Sequence, residues 1–427
     1  PADRDFMRWE YGVWPLRNII KKRVEDPSIW QFGFRAYRQI LDEVRRQSPD
    51  MLILSGIESA PHYYWRGRPF SDTFTLRNWH KHLLTVGLEK EDDMRGLPVV
   101  GNPAMRRIIR SDALFTVIIA AVFLCIGIIL LVRSRHRYLG TILRRHIIAG
   151  IGCIGAGALF LLNSYPFGEP LFDQYGFDGE RPYQNYIDYV HAHGGLTFWM
   201  HPEVENSEKI GFVTVKTPEY VLSLSRTYDY TGFALFYDGL KQVGVPGGLW
   251  DELLGEYCRG ARRAPVWAIG GLGFEKGDLR HALADLRTML LVERFDEPSV
   301  MDALRFGRSY TVRGKRSADF LLDVCAVQDT ETSASAGIGQ EVLVRGIPRI
   351  VLKGHLLDGH AERCTIQLIR NGELAQRFSV DIPFDFTWED TGAPVANDTK
   401  QYYRIEIIAD GLHCIGNPIF VQRMKSP

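Results

Sequence analysis

Two uncharged stretches constrain this chain more than any other feature. From Ala113 to Val132 the sequence reads ALFTVIIAAVFLCIGIILLV, about the length an α-helix needs to cross a hydrocarbon core. A second run, Ile147 to Leu162 continuing through Asn163, Ser164, Tyr165 and Phe167, is shorter and carries Gly150, Gly152, Gly155 and Gly157. Glycines weaken an isolated helix in water, whereas in lipid small residues let two helices approach closely. Gly152 with Ala156, and Ala149 with Cys153 and Gly157, stand at four-residue spacing and are expected to form the packing face of a transmembrane hairpin. Two buried core helices are the bland alternative, disfavoured because such helices are seldom apolar on every side.

Between the runs lies the basic loop 133–145, RSRHRYLGTILRR, with Arg133, Arg135, Arg137, Arg144 and Arg145 and no acid, whereas Glu169, Asp173 and Asp178 follow the second run. The positive-inside bias then puts the loop in the cytoplasm and the soluble portions on the periplasmic side of a bacterial inner membrane. Arg106, Arg107 and Arg110 before the first run weaken that contrast. The chain opens on Pro1 rather than Met, so a processed or trimmed start is expected. With 51 basic and 51 acidic residues, bulk electrostatics favours no polyanion, and nucleic acid is set aside as a partner. None of the six cysteines has metal-site spacing. Buried thiols are expected, with a Cys364–Cys414 disulfide as the alternative for a domain outside the cytosol.

A length of 427 residues calls for two or three domains. Before the hairpin, Tyr37, Ile40, Leu41 and Val44 mark one face of a helix, and Met51 to Leu54 reads as a buried strand. After it, Pro182 starts a helix with Tyr183, Tyr186, Ile187 and Val190 on one face, which Gly194-Gly195 ends before a strand over Leu196–Met200. Strands are expected at Gly232–Phe236, Val266–Gly270 and Thr288–Val292, with helices around Trp250–Cys258, Leu279–Leu286 and Pro298–Phe306. This alternation predicts an α/β domain with its ligand site at the carboxyl ends of the strands. From about Ser317 the pattern becomes alternating strands, including a hairpin about Asn371-Gly372, and predicts a small antiparallel β-sandwich. The expected division is 1–110 and 169–316 as two parts of the α/β domain, 111–168 as the membrane hairpin and 317–427 as the sandwich.

Several residues at expected strand ends have the types that hold divalent metals: Asp3, Glu58 after the Met51 run, and His201-Pro202-Glu203 after the Leu196 strand. Around them, Tyr11-Gly-Val-Trp-Pro15, Ser55-Gly-Ile-Glu58, Leu76-Arg-Asn-Trp79, Pro182-Tyr-Gln184 with Ile187-Asp-Tyr-Val190, Gly194 through Glu203 and Ala303 through Tyr310 resemble the PHP (polymerase and histidinol phosphatase) family of metal-dependent phosphoesterases. They are closest to bacterial membrane proteins that carry a PHP-like domain. Tyr402-Tyr-Arg404 and Asn417-Pro-Ile-Phe420 are similar to that group's C-terminal β module, so the likeness covers most of the chain.

The resemblance implies a distorted (β/α) barrel around two or three metals, held by an HxH pair, an Asp-His pair, a Glu, further histidines and a late Asp-x-His. Glu58 and His201 stand where a Glu and a His ligand are expected. Ala2-Asp3-Arg4-Asp5 resembles the family's Thr-Asp-His-Asp with Arg4 in place of the His, and Ile269 through Glu275 resembles the closing motif with Gly273 and Glu275 in place of the Asp and the His. The HxH pair, which the family carries upstream of this point, has no counterpart. An arginine offers no lone pair to a cation and a glycine has no side chain, so a polynuclear cluster is not expected. Glu58, His201, Asp3 and Glu275 remain as residual ligands for at most one weakly held divalent ion.

Other suggestive residues have plainer readings. His191-Ala-His193 falls at a helix end, where residues two apart diverge. His80 and His82 read as surface or interface residues. Tyr63-Tyr64-Trp65 with Arg66 lines a ligand cleft or sits at the membrane interface. The resulting expectation is a degenerate, non-catalytic PHP-like protein in contact with the lipid bilayer, serving as an accessory subunit beside other membrane proteins. The alternatives are a metal-dependent phosphoesterase acting outside the cytosol, and a sensor that binds a phosphate-bearing ligand through Arg4.

Overall fold

The computed structural model describes residues 2–69, 71–108, 111–134, 140–164, 168–236, 239–271, 285–315, 319–393 and 400–423. Among the described residues fourteen strands precede the sandwich: β1 (Ala2–Arg4), β2 (Arg8–Gly12), β3 (Lys21–Glu25), β4 (Gly56–Ser59), β5 (Tyr64–Arg66), β6 (Thr75–Arg77), β7 (Leu83–Val86), β8 (Arg107–Ile108), β9 (Glu169–Pro170), β10 (Leu196–Trp199), β11 (Asn206–Ile210), β12 (Val213–Thr217), β13 (Gly232–Phe236) and β14 (Trp267–Gly270). The fold is mixed α/β, and its main sheet has the order β1-β4-β7-β10-β13-β14. Its neighbouring strands run parallel except β7, which is antiparallel to both β4 and β10.

Among the described residues this sheet is open, with β1 and β14 as its edges, where the family resemblance implies a closed barrel. One reason lies just after β14. The strand expected near Thr288–Val292 is Leu286–Leu290, and it pairs antiparallel with Ser309–Arg313 in the sandwich's eight-stranded sheet. The segment available to extend the barrel is thereby spent on the neighbouring sheet. The strand expected at Met51–Leu54 is likewise displaced, because Met51 is exposed and the ladder to β1 and β7 begins at Gly56.

The helix Arg181–Ala192 carries Pro182 in its first turn and buries Tyr183, Tyr186, Ile187 and Val190, as its spacing predicts. Gly194 at φ +79° turns the chain into β10. The earlier helix, Phe34–Gln47, buries Phe34, Tyr37 and Leu41 but leaves Ile40 half exposed, so its buried face is narrower than expected. The helix expected around Leu279–Leu286 falls mainly outside the described residues. A second, four-stranded sheet, β11-β12-β6-β5, packs with β2 around Trp9, Tyr63, Trp65, Phe74, Leu76 and Trp79. Tyr63 and Trp65 are thus core residues of this sheet, and they line neither a cleft nor a lipid surface.

The helices Ser111–Ser134 and Gly140–Ser164 are long and apolar enough to span a membrane, and only 11 % and 17 % of their most apolar stretches are buried within the fold. They pack on each other where backbones come close. A Cβ added at Gly157 would lie 2.7 Å from Leu124 and 3.0 Å from the Ala120 carbonyl, and one at Gly150 would lie 2.9 Å from Leu131. Gly152 faces open space and Ala156 is half-buried. The contact therefore follows Gly150 and Gly157, seven residues apart.

The C-terminal region is a sandwich of the eight-stranded sheet and a four-stranded one over a shared apolar core. Asn371 (φ +51°) and Gly372 (φ +87°) form the expected tight turn between Glu362–Arg370 and Glu373–Ile382. All six cysteines are free thiols. Cys364 and Cys414 lie on strands separated by Lys400–Ala409, hence about 10 Å apart at ordinary strand spacing and beyond the ~7 Å reach of a disulfide. The sandwich is tied to the α/β region by Arg404, whose buried guanidinium donates to both oxygens of Asp251 at 2.8 and 2.6 Å, with the Tyr402 hydroxyl adding 2.8 Å.

Candidate metal centre

The carboxyl ends of β4 and β10 and the amino end of β7 meet at one place, because β7 runs antiparallel between the other two. Glu58 lies in β4, His201 two residues beyond β10, and His82 just before β7, with the Met200 N–H donating to the His82 carbonyl at 3.2 Å. His82 Nδ1 stands 2.7 Å from Glu58 Oε1 and 3.2 Å from His201 Nε2, and His201 Nε2 stands 3.9 Å from Glu58 Oε1. An ion about 2.1 Å from each of three tetrahedrally disposed donors spaces those donors ~3.4 Å apart. The three separations bracket that value.

Hydrogen bonding turns the right nitrogen of His201 toward this point. The Tyr220 hydroxyl donates to the Met200 carbonyl at 2.5 Å, so at 3.0 Å its oxygen is left to accept from His201 Nδ1–H. Nε2 then presents a lone pair to Glu58 and His82, the arrangement by which a neighbouring group fixes a ligand's tautomer. The His201 backbone sits at φ +30°, a conformation that costs energy outside glycine and is held by the surrounding structure.

The protonation balance also favours a cation. Burial works to raise the Glu58 pKa, but its polar contacts with the His201 and His82 imidazoles, together with the charge of Arg4, outweigh it and hold the carboxyl far below its ordinary range. Burial depresses the His82 pKa against the pull of Glu58, so its imidazole is neutral at physiological pH. Two imidazoles and one carboxylate suit Zn²⁺, Mn²⁺ or Fe²⁺ better than the all-oxygen cations Ca²⁺ and Mg²⁺.

The other sequence candidates are distributed differently. Arg4 pairs with Glu58 in the β1–β4 register, bringing its charge alongside the carboxylate. Asp3 pairs with Ile57 through its backbone, and its side chain, like Gly273 and Glu275, lies outside the described residues. Glu203 turns away and accepts the N–H groups of Lys241, Gln242 and Val243 at 2.7–2.8 Å, which makes it a loop anchor. His191 and His193 are exposed, as a helix end predicts.

His82 corrects the expectation that it is a surface residue: it is 3 % exposed and completes the cluster. His80 is half-buried, its ring 5.9 Å from that of His82 and its Nε2 3.1 Å from Glu208. The available signal was a histidine immediately before the short Leu83-Leu-Thr-Val86 run, at the amino end of its strand where His201 stands beyond the carboxyl end of its own. Tyr220 carried no comparable signal, since its role arises from a fold-back onto Met200.

No family model, curated protein or solved structure matches this chain. The site is therefore read from its own geometry. Three donors from three strand ends leave room for water or a ligand on the open side, where the side chains of Glu58 and His201 keep 26 % and 25 % exposure while His82 is nearly enclosed.

Proposed function

We propose that the protein is a membrane-anchored, PHP-like accessory subunit that retains one divalent-cation centre from a former phosphoesterase cleft. The observation that carries this reading is the triad itself: Glu58, His82 and His201 supply donors for one ion, while Arg4 brings a permanent charge where the family resemblance puts a further imidazole. When bound, a cation here would act as a local Lewis acid and would also cross-link β4, β7 and β10. The two long apolar helices support anchoring in the bacterial inner membrane, and the basic loop supports a periplasmic position for the soluble regions. Other membrane subunits are the proposed partners.

One observation favours a second reading. A three-ligand site with an open side, next to an arginine, is also what a single-ion phosphoesterase needs, with Arg4 holding the phosphate oxygens. Elemental analysis and phosphatase assay of the purified full chain separate the two. One Zn, Mn or Fe per chain, lost in Glu58→Ala and His82→Ala, with no turnover of an aryl phosphate, is expected. Turnover lost in the same variants moves the conclusion to the phosphoesterase. Two or more ions per chain overturn the single-ion centre.

A further inference from the structure

Two hairpin tips gather at one end of the small sheet, and their residues do not match a water-facing surface. The β2–β3 tip exposes Val13, Trp14 (71 %), Ile19 and Ile20. The β11–β12 tip exposes Ile210 and Phe212 (94 %). Pairing registers bring the tips together: Thr214 of β12 is opposite Thr75 of β6, and Thr75 is opposite Arg66 of β5. The start of β6, the start of β12 and the end of β5 therefore share one edge. Tyr11, at the end of β2, stacks edge-on against Trp65 and Phe74 at that same edge.

This edge is fastened to the end of the second apolar helix. The Asn163 side chain accepts the Asn18 N–H at 2.9 Å and donates to the Pro15 carbonyl at 3.2 Å, and the Asn18 side chain donates to the Asn163 carbonyl at 2.7 Å. Asn163 lies in the last turn of that helix and is 7 % exposed. Three hydrogen bonds thus hold the β2–β3 tip where the helix passes from its apolar stretch into the soluble region. Exposed Lys22, Arg66, Arg68 and Lys209 ring the apolar tips. Aromatic and aliphatic side chains beside basic ones are the composition of segments that lie in a headgroup layer, the rings among the upper acyl chains and the cations on the phosphates.

We propose that these tips form a platform that rests in the headgroup layer of the bilayer crossed by the two helices, an inference that stands on the membrane-spanning reading above. The occupant is lipid rather than a protein partner because Asn163 ties the β2–β3 tip to the last turn of a helix long and apolar enough to cross a membrane. The platform also fixes the height of the cation site. β12 begins at Val213, next to Phe212, and ends at Thr217, whose hydroxyl accepts the His80 N–H, so along this strand the cleft lies about five residues, roughly 17 Å, from the Phe212 tip.

The test uses the full chain in phosphatidylcholine vesicles with and without brominated acyl chains, which quench only nearby fluorophores. A small fluorescent amino acid is placed in turn at Trp14, at Phe212, at Ile151 on the exposed side of the second helix, and at Met51, exposed before the amino end of β4. Positions 14, 212 and 151 are expected to lose about half their emission or more, and position 51 to be unchanged. Quenching at 151 without quenching at 14 and 212 overturns the platform and leaves the transmembrane hairpin standing. No quenching at 151 removes the hairpin and the platform with it.

Discussion

Two neighbouring carboxylates, Glu58 and Asp5, are both tucked against the β1–β4 edge of the main sheet, yet they are driven in opposite directions. The Asp5 carboxyl accepts only from neutral donors, the Phe6 N–H at 2.6 Å and the Ser59 hydroxyl at 2.7 Å, and burial pushes its pKa up to about 7. Glu58, facing two imidazoles and Arg4, stays ionised. The difference teaches that on this edge the contacts with the histidines, backed by the charge of Arg4, outweigh burial. Successive residues of β4 point to opposite faces, so Glu58 looks toward the histidines and Ser59 toward Asp5 and Tyr186. A third carboxylate, Asp251, extends the comparison, being equally buried but matched to a guanidinium.

The largest effect is expected where the match is most complete. Asp251→Ala leaves Arg404, whose side chain is 0 % exposed, with an uncompensated charge between the α/β region and the sandwich. A loss of about 3–5 kcal/mol follows from breaking a buried pair by removing one partner. Denaturant unfolding of the full chain in detergent, or failure of the variant to accumulate, would read it. A loss below about 1 kcal/mol would show that water reaches Arg404.

Glu58→Ala comes next. Removing the anionic donor of the triad should weaken metal binding by more than about 100-fold, beyond what loss of a supporting residue costs. Competition with a chromogenic chelator measures it. The variant leaves Asp5 in place, so the pH behaviour described below should persist in it, and its disappearance would show that the two carboxylates are one coupled unit.

Asp5→Asn sharpens the other half of the comparison. Below about pH 4 the Asp5 carboxyl holds its proton both folded and unfolded, and it contributes no pH dependence. Between about 4 and 7 the unfolded chain releases that proton while the fold retains it, so stability falls as pH rises, and above about 7 the full cost of the buried charge is present. The rise from 3.8 to about 7 corresponds to at most about 4 kcal/mol. The hydroxyl chain Ser59–Tyr186–Thr85 can re-point its protons, which makes about 2 kcal/mol the expected effect. Thermal midpoints measured from pH 4 to 8 should decline in the wild type and flatten in Asp5→Asn, and parallel curves would refute the raised pKa.

The same contrast explains what was legible in the sequence. Features set by local pattern were readable: the uncharged runs, the helix begun by Pro182 and ended by Gly194, the Asn371-Gly372 turn, and His201 just after a strand. Features set by long-range pairing were not. That His82 faces Glu58 depends on β7 entering the sheet reversed between β4 and β10, and that Leu286–Leu290 joins the sandwich depends on its pairing with Ser309–Arg313, neither of which periodicity encodes. Of the expected packing residues, Gly157 lies in the contact whereas Gly152 faces open space. The four-residue spacing was correctly noticed, but the partner's Leu124 and Leu131 select Gly150 and Gly157.

The smallest expected effect tests whether Tyr220 acts through the tautomer of His201 or only through packing. Tyr220→Phe keeps the ring, which packs 5.8 Å from Trp199, and removes the oxygen that receives His201 Nδ1–H. Without that acceptor the imidazole proton is free to sit on Nε2, where it opposes a cation, and metal affinity should fall about 10-fold. A purely structural role would move the thermal midpoint of the metal-free protein and leave affinity unchanged. The proton's location gives a second readout: ¹⁵N chemical shifts of His201 in the metal-free wild type should report Nδ1–H, and in Tyr220→Phe a mixture of both tautomers. If both proteins report the same tautomer, the hydroxyl relay from Met200 does not prepare the site, and the two imidazoles and Glu58 bind whatever they bind without it.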